Sequence, residues 1–219
     1  RVVSMGINRL NKIYNIFNFF LKKSIKTNLN KYNTYDEYLK HQKIKTTDPE
    51  RIQKWLNEEW QIKYEGFKDI FERNILYIKD KENALCLGSR TGQEVKALQD
   101  LGLNAIGIDL VAFSPYTEVG DIHNLKFNDG GFDFIFTNIM DHSLYPEKFI
   151  FEMERVCKTN GVIIIHLQLG KNHDKYTETI LRGPGPILSL FNSSKLLVSK
   201  PISNLHDQMH WEIILKKII

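Results

Sequence analysis

No stretch of the 219-residue chain approaches the roughly 20 consecutive apolar residues that span a bilayer, so no segment reads as a membrane span. Cysteine is scarce. Cys86 and Cys157 are the only two, and both sit inside apolar runs, which points to buried thiols in a reducing, cytoplasmic setting rather than a disulfide. Cys and His residues nowhere take zinc-ligand spacing, so no metal is expected. The G-x-G-x-x-G spacing of a nicotinamide or flavin site is missing, as are an internal repeat and a low-complexity linker. Acidic residues are absent before Asp36.

That last gap explains the net charge. Arg1, Arg9, Lys12, Lys22, Lys23, Lys26 and Lys31 place seven positive charges before the first acid, and removing them from the net +4 leaves −3 on the remainder. The basic character therefore belongs to the N-terminal segment, residues 1–33, and nucleic acid is not indicated as a partner of the rest. Within it, Ile7, Leu10, Ile13, Ile16, Phe17, Phe20 and Leu21 recur at helical spacing, predicting a basic amphipathic helix over 7–26. Such a helix packs on a domain, lies on a membrane surface or serves organelle targeting. Residues 34–79 form a second unit, a helical extension. Thr34 or Asp36 can cap its first helix, and Asp48-Pro49-Glu50 places Pro behind an Asp cap. Trp55, Leu56, Trp60, Ile62, Phe67, Ile70 and Phe71 are its expected buried faces. Tyr38 to Lys43 either cover a ligand as a lid or pack on the domain.

From residue 80 the rhythm changes to short apolar strands alternating with helices. Strands are expected at 84–88, 104–109, 117–120, 132–138 and 161–167, with helices at 92–102 and 146–158. Near-continuous apolar strands separated by helices predict a parallel sheet covered on both faces. Two further strands, 195–201 and 209–217, are joined by a short loop and should close the sheet as an antiparallel hairpin. The fold class is thus α/β, doubly wound, with a mostly parallel seven-stranded sheet and an N-terminal helical extension.

Ligands of such sheets bind beyond the carboxyl ends of the strands. The first strand is followed by Gly88-Ser89-Arg90-Thr91-Gly92, whose glycines permit a sharp turn and close backbone approach. The helix beginning near Gly92 aims its amide donors at the same space, which suits a carboxylate. Asp109 and Leu110 end the second strand, 21 residues beyond Gly88, where a carboxylate can accept from both hydroxyls of a ribose. Asp121 and Ile122 follow the third strand, where an acid and a backbone amide can read an adenine edge. Asn138 ends the fourth. Asp141 and His142 come next, at the place where a second substrate would enter.

With these residues in place, residues 84–168 resemble the class I S-adenosylmethionine-dependent methyltransferase superfamily, and the similarity extends over most of 80–217. LCLGSRTGQE, GID at 107–109, GDIHNLKF at 120–127, FDFIFTN at 132–138 and EMERVCKTNGVIII at 152–165 resemble its successive motifs. The form LCLGxRTGQEV, preceded by YLKHQKIKT, resembles one subgroup of it. The resemblance implies the class I methyltransferase fold and S-adenosylmethionine as cofactor. It implies cofactor contacts from Gly88, Ser89, Arg90, Gly92, Asp109, Leu110, Asp121, Ile122 and Asn138, with Asp141 and His142 near the acceptor.

Three departures stand out: Cys86 where the superfamily usually has an acid, Arg90 for the middle glycine, and Thr159-Asn160-Gly161 for Lys-Pro-Gly-Gly. The missing acid removes a partner for the cofactor's ammonium. Arg90 either pairs with the cofactor's carboxylate or anchors to an internal acid such as Glu94. Methyl transfer to a small molecule or protein side chain is the leading expectation. Its rival is a weakened methyltransferase-like domain used for binding or assembly on RNA or in an organelle. Every motif lies beyond residue 84, so residues before Asp36 should be dispensable for the cofactor. His123 is expected to be structural, and His142 is a candidate base.

Overall fold

The computed structural model describes residues 25–170, 174–203 and 209–219. The amphipathic helix expected over 7–26 falls outside these residues except at its end. There Lys26 lies instead in a two-residue strand, β1 (Lys26–Thr27), antiparallel to β7 (Thr179–Ile180).

The helical extension contains four helices: α1 (Tyr35–Thr47), α2 (Pro49–Asn57), α3 (Trp60–Arg73) and α4 (Ile75–Ile78). Thr34, not Asp36, caps α1, its hydroxyl accepting from the Glu37 amide at 3.2 Å. Asp48 accepts from the Glu50 and Arg51 amides, and Pro49 sits where a missing N–H costs nothing. Trp55, Phe67, Ile70 and Phe71 are buried as expected, but Leu56 and Ile62 are 43% and 50% exposed. Ile62 instead borders a cleft described below.

The main sheet comprises β2 (Asn83–Leu87), β3 (Asn104–Asp109), β4 (Thr117–Val119), β5 (Phe132–Thr137), β6 (Cys157–Leu167), β8 (Ser194–Pro201) and β9 (Trp211–Lys217). Their order is β4-β3-β2-β5-β6-β9-β8. The strands from β2 to β6 are parallel, and β9 pairs antiparallel with both β6 and β8. This is the class I methyltransferase fold, with its closing hairpin at the sheet's edge. Helices α5 (Gln93–Asp100) and α6 (Pro146–Val156) form the crossovers. β6 starts four residues before the expected 161, because Asn160 takes a left-handed φ of 67° and the pairing with β5 bulges there.

Alternating strand residues feed two cores. Leu85, Leu87, Ile135, Ile163 and Ile165 pack beneath α6 with Phe149 and Met153. Ala84, Cys86, Phe134, Phe136 and Ile164 pack on the other face with Val95 and Leu98 of α5 and Phe67, Ile70 and Phe71 of α3. Both thiols are free and buried. The strand order reverses at β2, so the carboxyl ends of β2, β3 and β5 open a crevice between them.

Candidate active site

The loop leaving β2 reaches this crevice through three left-handed residues at alternate positions. Gly88, Arg90 and Gly92 have φ of 78°, 47° and 82°. A Cβ on Gly88 would sit 2.3 Å from the Ile139 side chain, and one on Gly92 would sit 2.2 Å from Tyr116. Both glycines are therefore required by conformation and by space. Ser89 spends its hydroxyl inside the fold, 3.1 Å from the Thr117 hydroxyl. Gly92 precedes the first turn of α5, and the turn's first two residues, Gln93 and Glu94, are buried along the cleft wall.

Asp109 closes the turn. Its carboxylate accepts from the Arg90 amide at 3.0 Å and from the Leu110 amide at 2.7 Å. Burial pushes this carboxyl above its ordinary range, and the charge and amide of Arg90 oppose the rise. The sequence places Asp109 correctly at the strand end, but without a ligand its oxygens hold the glycine loop.

Two spaces meet at Gly88, Arg90, Ile139 and His142. The larger is a cleft of about 880 Å³ between the strand ends and α1–α3, bordered by Asn138, Asp141 and His142. The smaller, about 60 Å³, lies under α1 against Asp109, Leu110, Asp121 and Ile122. The expected site residues thus divide into a wide half and a narrow half. The narrowing comes from α1. Tyr35 donates its hydroxyl to Asp121 at 2.7 Å and lies 2.8 Å from His123 Nδ1. Burial alone would raise the Asp121 carboxyl, but donors from His123 and Tyr35 together hold it below its usual range. His123 is fully buried, with Nε2 at 2.8 Å from Ser143 Oγ, which fits its structural assignment.

Described residues before Asp36 contact elements that border this site. Lys31 and Tyr32 both donate to the buried carboxylate of Glu178, which also accepts from Gln42 at 3.1 Å. The face of α1 carrying Tyr38, Gln42 and Thr46 is buried against the domain. Tyr38 reaches the His142 carbonyl at 3.1 Å.

Among the described residues, the Arg90 guanidinium has neither a carboxylate partner nor a bond to Glu94. It lies over the Trp55 indole, 4.3 Å from the ring centroid, joining the glycine loop to α2. Its charge still acts across the cleft. Burial first, and Arg90's repulsion second, lower the ammonium groups of Lys45 and Lys63. Lys63 is paired with Glu59 at 2.7 Å and Lys45 with Asp174 at 3.2 Å.

Lys45 is also 3.1 Å from His142 Nε2, while His142 Nδ1 is 2.9 Å from the Tyr176 carbonyl. A carbonyl can only accept, so Nδ1 carries the proton and Nε2 presents its lone pair at the cleft. Lys45, Asp174 and Tyr176 were not singled out from the sequence. Lys45 could have been found three residues beyond Gln42, flanking the polar stripe Tyr38–Gln42–Thr46.

The group implied by the fold can be tested against these residues. Gln93 Nε2 is a buried donor with no partner among the described residues, in a side chain that lines the wide half. A buried amide left unpaired in the protein alone fits an acceptor arriving with a ligand. Asp109 and Asp121 offer carboxylates to hydroxyl and amino donors in the narrow half. The donor set therefore fits S-adenosylmethionine.

The family described as "Methyltransferase domain" matches residues 85–165. Solved structures share the fold at low identity. A Burkholderia thailandensis 1,6-didemethyltoxoflavin-N1-methyltransferase, solved with 1,6-didemethyltoxoflavin and S-adenosylhomocysteine, is 11% identical with a TM-score of 0.64, over 84% of this chain and 89% of that one. A protein of Pyrococcus horikoshii OT3 is 17% identical with a TM-score of 0.59, over 80% and 95%. A SAM-dependent methyltransferase from Archaeoglobus fulgidus is 15% identical with a TM-score of 0.57, over 70% and 94%.

Proposed function

We propose that this chain is an S-adenosylmethionine-dependent methyltransferase acting on a small molecule or a protein side chain. The observation that carries the reading is the cleft at the sheet's reversal point. There the left-handed loop 88–92 and Asn138 meet a buried amide that has no partner among the described residues, and Asp109 lines the narrow half that joins the cleft at Gly88 and Arg90. The methyltransferase-domain match and the small-molecule ligand of the Burkholderia enzyme support it.

When bound, S-adenosylmethionine supplies a methyl group already activated on a sulfonium. The chain's own task is then to hold the acceptor in line and keep water out. Gly88, Ser89 and Gly92 let the backbone approach the amino-acid end, while Arg90 offers its cation to the carboxylate. Asp109 and Leu110 take the ribose, and Asp121 and Ile122 the adenine, with α1 of the 34–79 extension as a roof over that half. Asn138 and Asp141 line the path to the acceptor. His142, held as the Nδ1–H tautomer by the Tyr176 carbonyl, can accept a proton at Nε2 from an acceptor that displaces the Lys45 ammonium.

Asp109→Ala tests the reading by calorimetry with S-adenosylhomocysteine. Losing two hydrogen bonds to a charged acceptor should weaken binding by about 2–4 kcal/mol. An unchanged dissociation constant in a folded variant would remove Asp109 from the site and the reading with it.

A further inference from the structure

The superfamily resemblance leaves a vacancy in the electrostatics of the cleft, because Cys86 stands where an acid is usual. The structure places a carboxyl beside it. Glu94, in the first turn of α5, is buried, lines the wide half of the cleft, and lies close enough to Cys86 for its charge to oppose ionisation of the thiol. Its neighbour Gln93 accepts from Thr91 Oγ1 at 2.9 Å through its carbonyl oxygen, which leaves Nε2 unpartnered and 97% of the residue buried on the same wall. An acid for an ammonium and an amide donor for a carboxylate are the two complementary groups of an α-amino acid.

We propose that Glu94 and Gln93 bind the amino-acid end of the cofactor, Glu94 taking the ammonium in place of the acid missing at position 86 and Gln93 donating to the carboxylate. This rests on the methyltransferase reading above and assigns residues within it.

The assignment carries a pH signature. Burial pushes the Glu94 carboxyl up to about 8, against the opposing charges of Arg90 and Lys63 and with that of Asp109. The groups facing it are Cys86 on β2, Arg90 in the loop, Asp109 on β3 and Lys63 on α3. A carboxyl titrating near 8 is mostly protonated at pH 7 without ligand. An ammonium placed against it favours the carboxylate, and the proton leaves to buffer. Affinity should therefore rise from pH 6 to pH 8 and flatten above that.

The test is titration of S-adenosylhomocysteine into the full chain at pH 7, in two buffers of different ionisation heat. 5′-Methylthioadenosine, which lacks the amino-acid end, is the parallel probe. The parent should release close to one proton with S-adenosylhomocysteine and none with methylthioadenosine. Glu94→Gln mimics the protonated form, so its melting temperature at pH 7 should match the parent. Its S-adenosylhomocysteine affinity should fall about tenfold to hundredfold with no proton release, while its methylthioadenosine affinity stays put. Gln93→Leu should lose affinity for S-adenosylhomocysteine alone. Equal affinity and proton release in Glu94→Gln would overturn the assignment, as would an equal loss for both ligands. If the parent binds neither ligand, the methyltransferase reading fails as well.

Discussion

Arg90 is the residue where conformation and charge pull in different directions. Its left-handed φ of 47° costs an L-residue about 1 kcal/mol, and its stack on Trp55 returns about the same. Arg90→Gly removes both, so its stability should stay within about 0.5 kcal/mol of the parent. Arg90→Ala keeps the backbone cost and loses the stack, so it should be less stable than Arg90→Gly by about 1 kcal/mol. Denaturant unfolding of the two variants checks this order. The same variants report on binding. Arg90→Lys should weaken S-adenosylhomocysteine modestly, since lysine keeps charge but lacks the planar fork, and Arg90→Gly and Arg90→Ala more. A folded Arg90→Gly that binds as well as the parent makes Arg90 a shaper of the loop alone. The sequence singled out Arg90 as a departure but could not supply Trp55 as its partner, because 35 residues separate them and only the packing of α2 joins them.

Elements are held together by polar contacts as well as by the two cores. Glu212 on β9 is buried where α3 ends. His166 of β6 donates Nε2 to it at 3.1 Å and Asn74 donates Nδ2 at 2.7 Å. Burial alone would raise this carboxyl, but those donors and the Lys200 ammonium, 3.2 Å away, outweigh it and bring it down from 4.5 to about 2. A folded-state value below the unfolded one means the stabilisation is fully present above pH 4.5 and disappears as pH falls towards 2. Glu212→Gln should therefore cost about 1–3 kcal/mol near pH 7. The gap from the parent should close between pH 5 and pH 2.5 in urea unfolding. A gap independent of pH would mean that the carboxylate's charge does not matter.

The same scale separates what was legible in the sequence from what was not. β2, β3 and β5 stood out because both faces are buried and their side chains are almost all apolar. For α1 the sequence left a lid and simple packing as alternatives, because the stripe it buries is Tyr38, Gln42 and Thr46, and hydrophobic periodicity is blind to a polar stripe. The Asp174–Glu178 segment, which holds Lys45, His142, Lys31 and Tyr32, has no periodicity to read.

For the molecule as a whole, the cleft joins three parts distant in sequence. The strand ends supply the expected motifs, the 34–79 extension supplies a roof with Tyr35 on Asp121, and the segment before it is pinned through Glu178. The wide half lies open and the narrow half lies under α1, so a cofactor held across both, as proposed, would register on both. Amide hydrogen exchange of the full chain, with and without saturating S-adenosylhomocysteine, reads that directly. The account predicts slowed exchange at 88–94, 109–111, 120–123 and 138–142, altered exchange along α1, and none at the β8–β9 edge. Unchanged exchange at the strand-end loops, or protection confined to another face of the sheet, would contradict it.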